Sequence, residues 1–125
     1  MSKLEAQLIQ MENALNKLKE VLALPETEIV RDSAIQRFEF TLDLTWKTTK
    51  TYLEEKEGVV CVSPKECFRE AFRQGLINYD SEWITMVDLR NETVHTYNEE
   101  NAQKIYLQLS STIGKFEELL NKLKQ

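Results

Sequence analysis

The fold class depends on one stretch, Phe38-Glu39-Phe40-Thr41-Leu42-Asp43-Leu44-Thr45-Trp46. Apolar and polar residues alternate through it, as they do in a half-buried strand, and a strand is therefore the alternative here. However, no glycine or proline interrupts the chain from Thr27 to Glu57, and a strand of that length would be exceptional. We predict a long helix over about Glu28 to Lys56 with apolar residues on two faces. One face packs into its own bundle and the other meets a partner chain.

Helical patterns also occur before and after this segment. Apolar residues recur every three or four positions from about Lys3 to Ala23, which predicts an amphipathic first helix that ends before Pro25. The run Ser63-Pro64-Lys65-Glu66 is typical of a capping box with proline at the first helical position. It predicts a short helix through Arg73 that stops at Gly75.

Two further helices complete the prediction. Asn78, Asp80 or Ser81 caps the fourth helix, and the last helix runs from about Glu99 to Lys124 with one apolar stripe. No internal repeat and no long linker divides the chain. We therefore predict one all-α domain over residues 1–125, an antiparallel helical bundle of four long helices plus one short helix.

Composition excludes several classes of protein. The net charge of −5 argues against non-specific binding of nucleic acid by the whole surface. Three glycines are too few for a glycine-rich phosphate loop. No apolar run approaches the roughly 20 residues of a membrane span, and the charged N-terminal stretch does not resemble a signal peptide.

The two cysteines and three basic residues of the second helix are not predicted to form a functional site. Cys61 and Cys67 are six apart beside a single histidine, which excludes the usual zinc spacings, so we predict no metal and no cofactor. Both cysteines are predicted to be reduced thiols in a cytoplasmic protein. Arg31, Arg37 and Lys47 are predicted to be solvated charges on the second helix.

The candidate functional motif is Arg90-Asn91-Glu92-Thr93-Val94-His95-Thr96-Tyr97, at the end of the fourth helix and before a cap at Asn98. Arg90 has no carboxylate three or four residues away, so we expect an anion to reach it from outside its own helix. His95, the only histidine, can take a proton from a hydroxyl and return one to a leaving oxygen. Arg90 can hold a phosphate through two hydrogen bonds. Asn91, one turn below His95, can orient the imidazole.

These residue types fit more than one role. They suffice for metal-free cleavage of RNA in which the neighbouring 2′-hydroxyl is the nucleophile. They equally suffice for binding a nucleotide phosphate without cleavage. A third interpretation is that the motif only braces the fold, because a histidine near a helix C-terminus also interacts well with the helix dipole.

The motif and the second segment together resemble a known family. Arg90, His95 and Tyr97 form an Arg-x4-His-x-Tyr pattern that resembles the signature of HEPN-domain proteins, and of HepT-like toxins in particular. Arg31 to Thr41, continued through Trp46-Lys47, is similar to the most recognisable stretch of the nucleotidyltransferase substrate-binding protein family. The similarity covers most of the chain after the first helix.

This resemblance implies a HEPN-like bundle that forms a homodimer, with the motif helices of both subunits lining one cleft. It also implies a small nucleotidyltransferase partner, usually encoded nearby. Arg90 and His95 would be the catalytic residues of a ribonuclease toxin, with Asn91 in support. AMP transfer to Tyr97 by the partner would silence the toxin. The alternative is a non-catalytic subunit that binds a nucleotide or substrate for a two-component nucleotidyltransferase.

Overall fold

The computed structural model describes residues Met1 to Gln125, and all of its regular secondary structure is helical. The α-helices are α1 (Lys3–Leu22), α2 (Glu28–Tyr52), α3 (Pro64–Arg73), α4 (Asp80–Glu92), α5 (Glu99–Leu109) and α6 (Ile113–Leu123). Single turns of other helix types lie at Leu53–Glu57, Thr93–His95 and Ser110–Thr112. The predicted all-α bundle is confirmed, and α2 is a helix through the whole alternating stretch.

Four threonines of α2 are fully buried with their hydroxyl groups satisfied inside the helix. Thr41, Thr45, Thr48 and Thr49 are fully buried, yet each hydroxyl donates to the carbonyl oxygen four residues earlier, at 2.6–2.8 Å. These polar groups are therefore satisfied inside the helix and add no unpaired donor to the core. Their small side chains let α1 pack closely along α2, and Thr48 also approaches the Gln7 carbonyl of α1 at 3.4 Å.

The core draws residues from all six α-helices and has a cluster of aromatic side chains. Trp83 of α4 lies between Phe68 and Phe116, with ring centroids 4.7 and 5.5 Å away. Phe38 of α2 meets Phe116 edge-on at 6.2 Å. These four rings are buried and hold α4 against the bundle, so the start of the functional motif sits on a rigid element.

Two helix starts agree with the sequence and one does not. The Ser63 hydroxyl accepts from the Glu66 amide, and Asn98 caps α5 by accepting from the amides of Glu100 and Asn101. Helix α4 instead begins after Tyr79, which makes no side-chain capping bond. The predicted caps at Asn78, Asp80 or Ser81 are therefore wrong, because Asp80 is already the first helical residue.

The predicted last helix is interrupted. A tighter turn at Ser110–Thr112 separates α5 from α6, whereas the sequence pattern predicts one helix from Glu99 to Lys124. The Ser111 and Thr112 hydroxyls donate to the carbonyls of Gln108 and Leu109, at 2.8 and 2.6 Å. Short-range bonds of this kind compete with the α-helical pattern and explain the break, although the apolar stripe continues across it.

The prediction of reduced thiols is wrong for this structure. Gly58, with φ +66°, ends the turn after α2 and redirects the chain so that Cys61 reaches the first turns of α3. There the Cα atoms of Cys61 and Cys67 are 5.3 Å apart and the two side chains form a disulfide. Both cysteines are buried beside Leu53, so this bond fixes the connector between α2 and α3.

The second apolar face of α2 borders a groove against α1. The Arg37 guanidinium donates to the Lys17 carbonyl at 2.7 Å, so the prediction of a freely solvated Arg37 is wrong, whereas Lys47 is exposed as predicted. Phe40 is 51% exposed next to this contact. We call this surface the α1/α2 groove; it is about 300 Å³ and is lined by Gln10, Asn13, Ala14, Lys17, Arg37, Phe40 and Leu44. None of the helices is both long and apolar enough to cross a membrane.

Candidate functional site

The motif straddles the end of α4 and the turn that leads to α5. Arg90 and Asn91 belong to the last turn of α4, and His95 ends the tighter turn Thr93–His95. The turn forms where the buried Thr93 hydroxyl donates to the Arg90 carbonyl at 2.7 Å. Tyr97 then lies between that turn and the Asn98 cap. The chain changes direction here, which brings His95 and Tyr97 to the surface.

Arg90 receives its anion from α2. Its Nε and Nη2 donate to the two carboxylate oxygens of Asp43, both at 3.1 Å, in a bidentate pair. Nη1 donates to the Thr93 hydroxyl at 3.3 Å and lies 3.8 Å from Glu39. The anion expected from outside the helix of Arg90 is therefore a carboxylate of the same chain, Asp43. The guanidinium is positioned on three sides and only partly exposed.

This arrangement also keeps Arg90 charged. Hydrogen bonding to Asp43 raises the pKa of the guanidinium above its ordinary value, and partial burial opposes that rise. The charges of Asp43 and Glu39 raise the pKa further. The site therefore holds a permanent cation between two carboxylates.

His95 and Tyr97 are the open part of the motif. Both are exposed, Tyr97 at 85%, and their ring centroids lie 6.1 Å apart in an edge-on arrangement. No hydrogen bond joins Asn91 to His95, because the helix tightens between them and their α-helical alignment is lost. The imidazole is therefore accessible, and its neighbour is the phenol ring of Tyr97 and not the Asn91 amide.

A polar trough runs from the motif along α2. We call it the α2 trough; it has a volume of about 500 Å³ and is lined by Asp32, Ser33, Ile35, Gln36, Glu39 and Thr96. Thr96 lies between His95 and Tyr97 in sequence, and Glu39 contacts Arg90. The trough and the motif are thus continuous.

At the far end of the α2 trough, the buried Arg31 pairs with two exposed carboxylates. Arg31 is nearly fully buried and donates to Asp32 at 3.2 Å and to Glu99, at the start of α5, at 2.9 Å. The prediction of a solvated Arg31 is therefore wrong. The hydrogen bond to Glu99 raises the pKa of Arg31, against the effect of burial, and Asp32 raises it further. No three His, Cys, Asp or Glu side chains converge closely enough to hold a metal ion.

Comparison with known proteins identifies the family. The sequence profile described as "Nucleotidyltransferase substrate binding protein like" matches residues 2–125. The chain belongs to the nucleotidyltransferase substrate-binding protein-like family. It is 35% identical over 108 residues to a Haemophilus influenzae protein named "Probable ribonuclease HepT", an alignment that covers 80% of this chain and 74% of that protein.

Two solved structures share this family's fold. A crystal structure of a Thermus thermophilus protein superposes with a TM-score of 0.87 at 41% identity and covers 92% of this chain and 99% of that one. A Haemophilus influenzae structure, described as the fold of a substrate binding domain of a nucleotidyltransferase, superposes with a TM-score of 0.71 at 27% identity. It covers 98% of this chain and 97% of that one.

The partners of Arg90 are the residues that sequence reasoning missed in this family member. Glu39 and Asp43 are four residues apart and therefore share one face of α2. Two carboxylates on one helical face, within an otherwise apolar stretch, indicate a cation opposite them. That signal was present in the sequence, but only the packing of α4 on α2 identifies Arg90 as the cation.

Proposed function

We propose that this chain is the companion subunit of a small nucleotidyltransferase, and that it is a metal-independent ribonuclease silenced by AMP transfer to Tyr97. The observation that carries the proposal is the surface placement of His95 and Tyr97, 6.1 Å apart, on the turn that follows Arg90. A proton-transfer group and an accessible hydroxyl therefore lie together, on a turn that begins three residues after Arg90.

The chemistry requires no protein nucleophile. The 2′-hydroxyl oxygen of RNA attacks the adjacent phosphorus while His95 accepts the hydroxyl proton. The bond to the 5′-oxygen breaks, and that oxygen takes a proton from an acid in the site. The products are a 2′,3′-cyclic phosphate and a 5′-hydroxyl. Arg90 stabilises the phosphate charge through Nη1 and through its electrostatic field, because Asp43 occupies its other two donor groups.

Two copies of the chain would form the working unit. The α1/α2 groove leaves Phe40 half exposed, and we infer that a second copy covers it and brings two motif turns to one cleft. An acid for the leaving 5′-oxygen would then come from the His95 of the second copy. This arrangement explains how one histidine per chain supplies two proton-transfer groups.

RNA cleavage by the purified protein tests the proposal. In the presence of EDTA, the parent protein is expected to cleave single-stranded RNA and leave 2′,3′-cyclic phosphate ends. His95→Ala should lower the rate by about 10²–10⁴, because it removes the proton-transfer group. Arg90→Lys should also lose activity, since a point charge cannot keep the bidentate geometry with Asp43. Both variants should retain the parent's helical circular dichroism. A parent protein that cleaves no RNA, or a His95→Ala protein of equal activity, rejects the ribonuclease.

A second candidate function is supported by the occupied state of Arg90. Its bidentate bond to Asp43 leaves only Nη1, which also donates to Thr93, and Glu39 and Asp43 place negative charge beside it. A subunit that only binds a nucleotide for its transferase does not need an arginine with two free donor groups for the phosphate. Nucleotide binding by a protein that cleaves no RNA would favour this function.

A further inference from the structure

The α2 trough has a lining that differs from the motif turn beside it. Two carboxylates, one amide and two hydroxyls form its walls, and the buried Ile35 contributes an apolar surface. No lysine or arginine lines it. Asp32, Gln36 and Glu39 fall at spacings of four and three residues on α2 and so project along one face, spanning about 10 Å of helix.

Each end of the trough has an arginine beside it. At one end the Glu39 carboxylate lies 3.8 Å from Arg90, and Thr96 sits between the two exposed motif residues. At the other end Oδ1 of Asp32 accepts two hydrogen bonds from the buried Arg31. Hydrogen bonds from Arg31 therefore hold Asp32 in place, whereas Glu39 only lies close to the charge of Arg90. Oδ2 of Asp32 and Oε1 of Glu39 have no hydrogen-bond partner in the chain.

Charge and geometry select the kind of group that fits. A phosphate would be repelled by the two carboxylates, and Asp32 and Glu39 lie too far apart on α2 to hold one metal ion together. A flat, neutral group with N–H donors along its edge can donate to the carboxylate oxygens of the trough without electrostatic repulsion. A nucleobase whose phosphate lies at Arg90 and His95 is such a group.

We propose that the α2 trough is a nucleobase-binding site that prefers guanine, with Asp32, Gln36 and Glu39 as the residues that determine specificity. This inference rests on the proposed function only in placing a nucleotide phosphate at the motif turn. The Watson–Crick edge of guanine carries adjacent N1–H and N2–H donors for a carboxylate, and the Gln36 amide can donate to O6. Uracil has a single N3–H donor flanked by two carbonyl oxygens that a carboxylate would repel, so it is expected to bind worst.

The test is binding of mononucleotides to the ¹⁵N-labelled full chain, followed by NMR. GMP should shift the amide resonances of Ser33, Gln36 and Thr96 and bind about tenfold more tightly than UMP, the discrimination expected from one good base-edge contact. Asp32→Asn and Gln36→Ala should each reduce that preference severalfold. Gln108→Ala is the matched control, since this exposed amide on α5 bonds only to a carbonyl of its own helix.

The outcomes separate this site from the ribonuclease. Selective GMP binding by a protein that cleaves no RNA supports the trough and rejects the ribonuclease. Cleavage without base preference, together with equal GMP and UMP shifts, rejects the trough and leaves the ribonuclease intact. Equal shifts, shifts confined to other regions, or no nucleotide binding each overturn the proposal. The proposal is also overturned if a protein partner covers the amides of Ser33, Gln36 and Thr96 and GMP does not displace that partner.

Discussion

Arg90 is positioned by Asp43 before any ligand arrives. Its bidentate bond fixes the plane of the guanidinium, and Thr93 fixes its remaining edge. A phosphate at this site must therefore either meet Nη1 or displace Asp43. Displacement would leave a partly buried carboxylate without its partner, so binding through Nη1 is the less costly route. The acidic surroundings of Arg90 follow from this pairing and do not require a ligand.

The most accessible hydroxyl near the motif is that of Tyr97, and we predict that it accepts AMP. Its phenol oxygen would attack the α-phosphorus of ATP and release pyrophosphate. Co-expression with the proposed partner nucleotidyltransferase should give chains heavier by one or more AMP units, all mapped to Tyr97. Each added phosphate places negative charge beside Arg90 and His95, and should block RNA cleavage.

The other tyrosines serve as controls for that modification. Tyr79 is 63% exposed but lies at the opposite end of α4, whereas Tyr52 and Tyr106 are half-buried on helices. Tyr97→Phe should abolish the added mass. Equal labelling of Tyr79 would show that exposure alone directs the transferase, and labelling of Tyr97→Phe at the parent level would reject the assignment.

Two neighbouring glutamates allow an ion pair with a buried arginine to be compared with one to an exposed lysine. Glu99→Gln should lower the free energy of unfolding by about 1 kcal/mol, because it weakens the charged partner of buried Arg31; exposure of the Glu99 side chain limits the loss. Glu100→Gln should cost less than about 0.5 kcal/mol, because its pair with Lys104 is exposed. Both residues lie in the first turn of α5, so their effects on the helix dipole match. Urea titrations of both variants give the comparison; equal costs would contradict it.

The pH dependence of the Arg31 pair has a defined sign. Glu99 and Asp32 raise the pKa of Arg31 in the folded state. The stability contributed by its charge is therefore complete below the unfolded-state pKa and is lost only as the pH rises through the still higher folded-state value. The destabilisation of Glu99→Gln should thus be constant between about pH 7 and 9, far below the ordinary arginine pKa.

At the scale of elements, the connector between α2 and α3 depends on its disulfide. Because the bridge closes a loop of only about seven residues, the chain-entropy relation gives a contribution of about 2 kcal/mol to stability. We expect dithiothreitol to lower the urea midpoint of the parent. The double substitution of Cys61 and Cys67 by alanine should unfold at an equally low midpoint and be insensitive to dithiothreitol. A parent protein unaffected by reductant would contradict this.

Helix existence was predictable, whereas several helix ends were not. The capping box at Ser63 and the Asn98 cap are local chemistry, and the structure has both. Helix α4 starts without a side-chain cap, and the break at Ser110–Thr112 depends on hydroxyl bonds that only some serines and threonines make. The roles of Asp43 and Arg31 were also not predictable, because Asp43 pairs with Arg90 of α4 and Arg31 with Glu99 of α5. The periodicity of a sequence shows which face of a helix is apolar, but it does not show which other helix packs against that face.

For the whole molecule, we predict a homodimer formed through α2 and the motif helix. Size exclusion with light scattering should give twice the chain mass. Phe40→Asp should give monomers, because it places a charge in the apolar part of the α1/α2 groove. Leu107→Asp is the control: Leu107 is 69% exposed on α5, and its replacement should leave the dimer intact. A parent that stays monomeric at all concentrations rejects the dimer.

The position of the only histidine also has a spectroscopic consequence. A single exposed imidazole, edge-on to Tyr97, gives one set of imidazole proton resonances, so no assignment is needed to follow it. Its chemical shift senses the ring current of the neighbouring phenol and the approach of any anion. One peak in unlabelled protein can therefore report ligand arrival, chemical change at Tyr97 and pairing with a second chain, each as a separate displacement of the same signal.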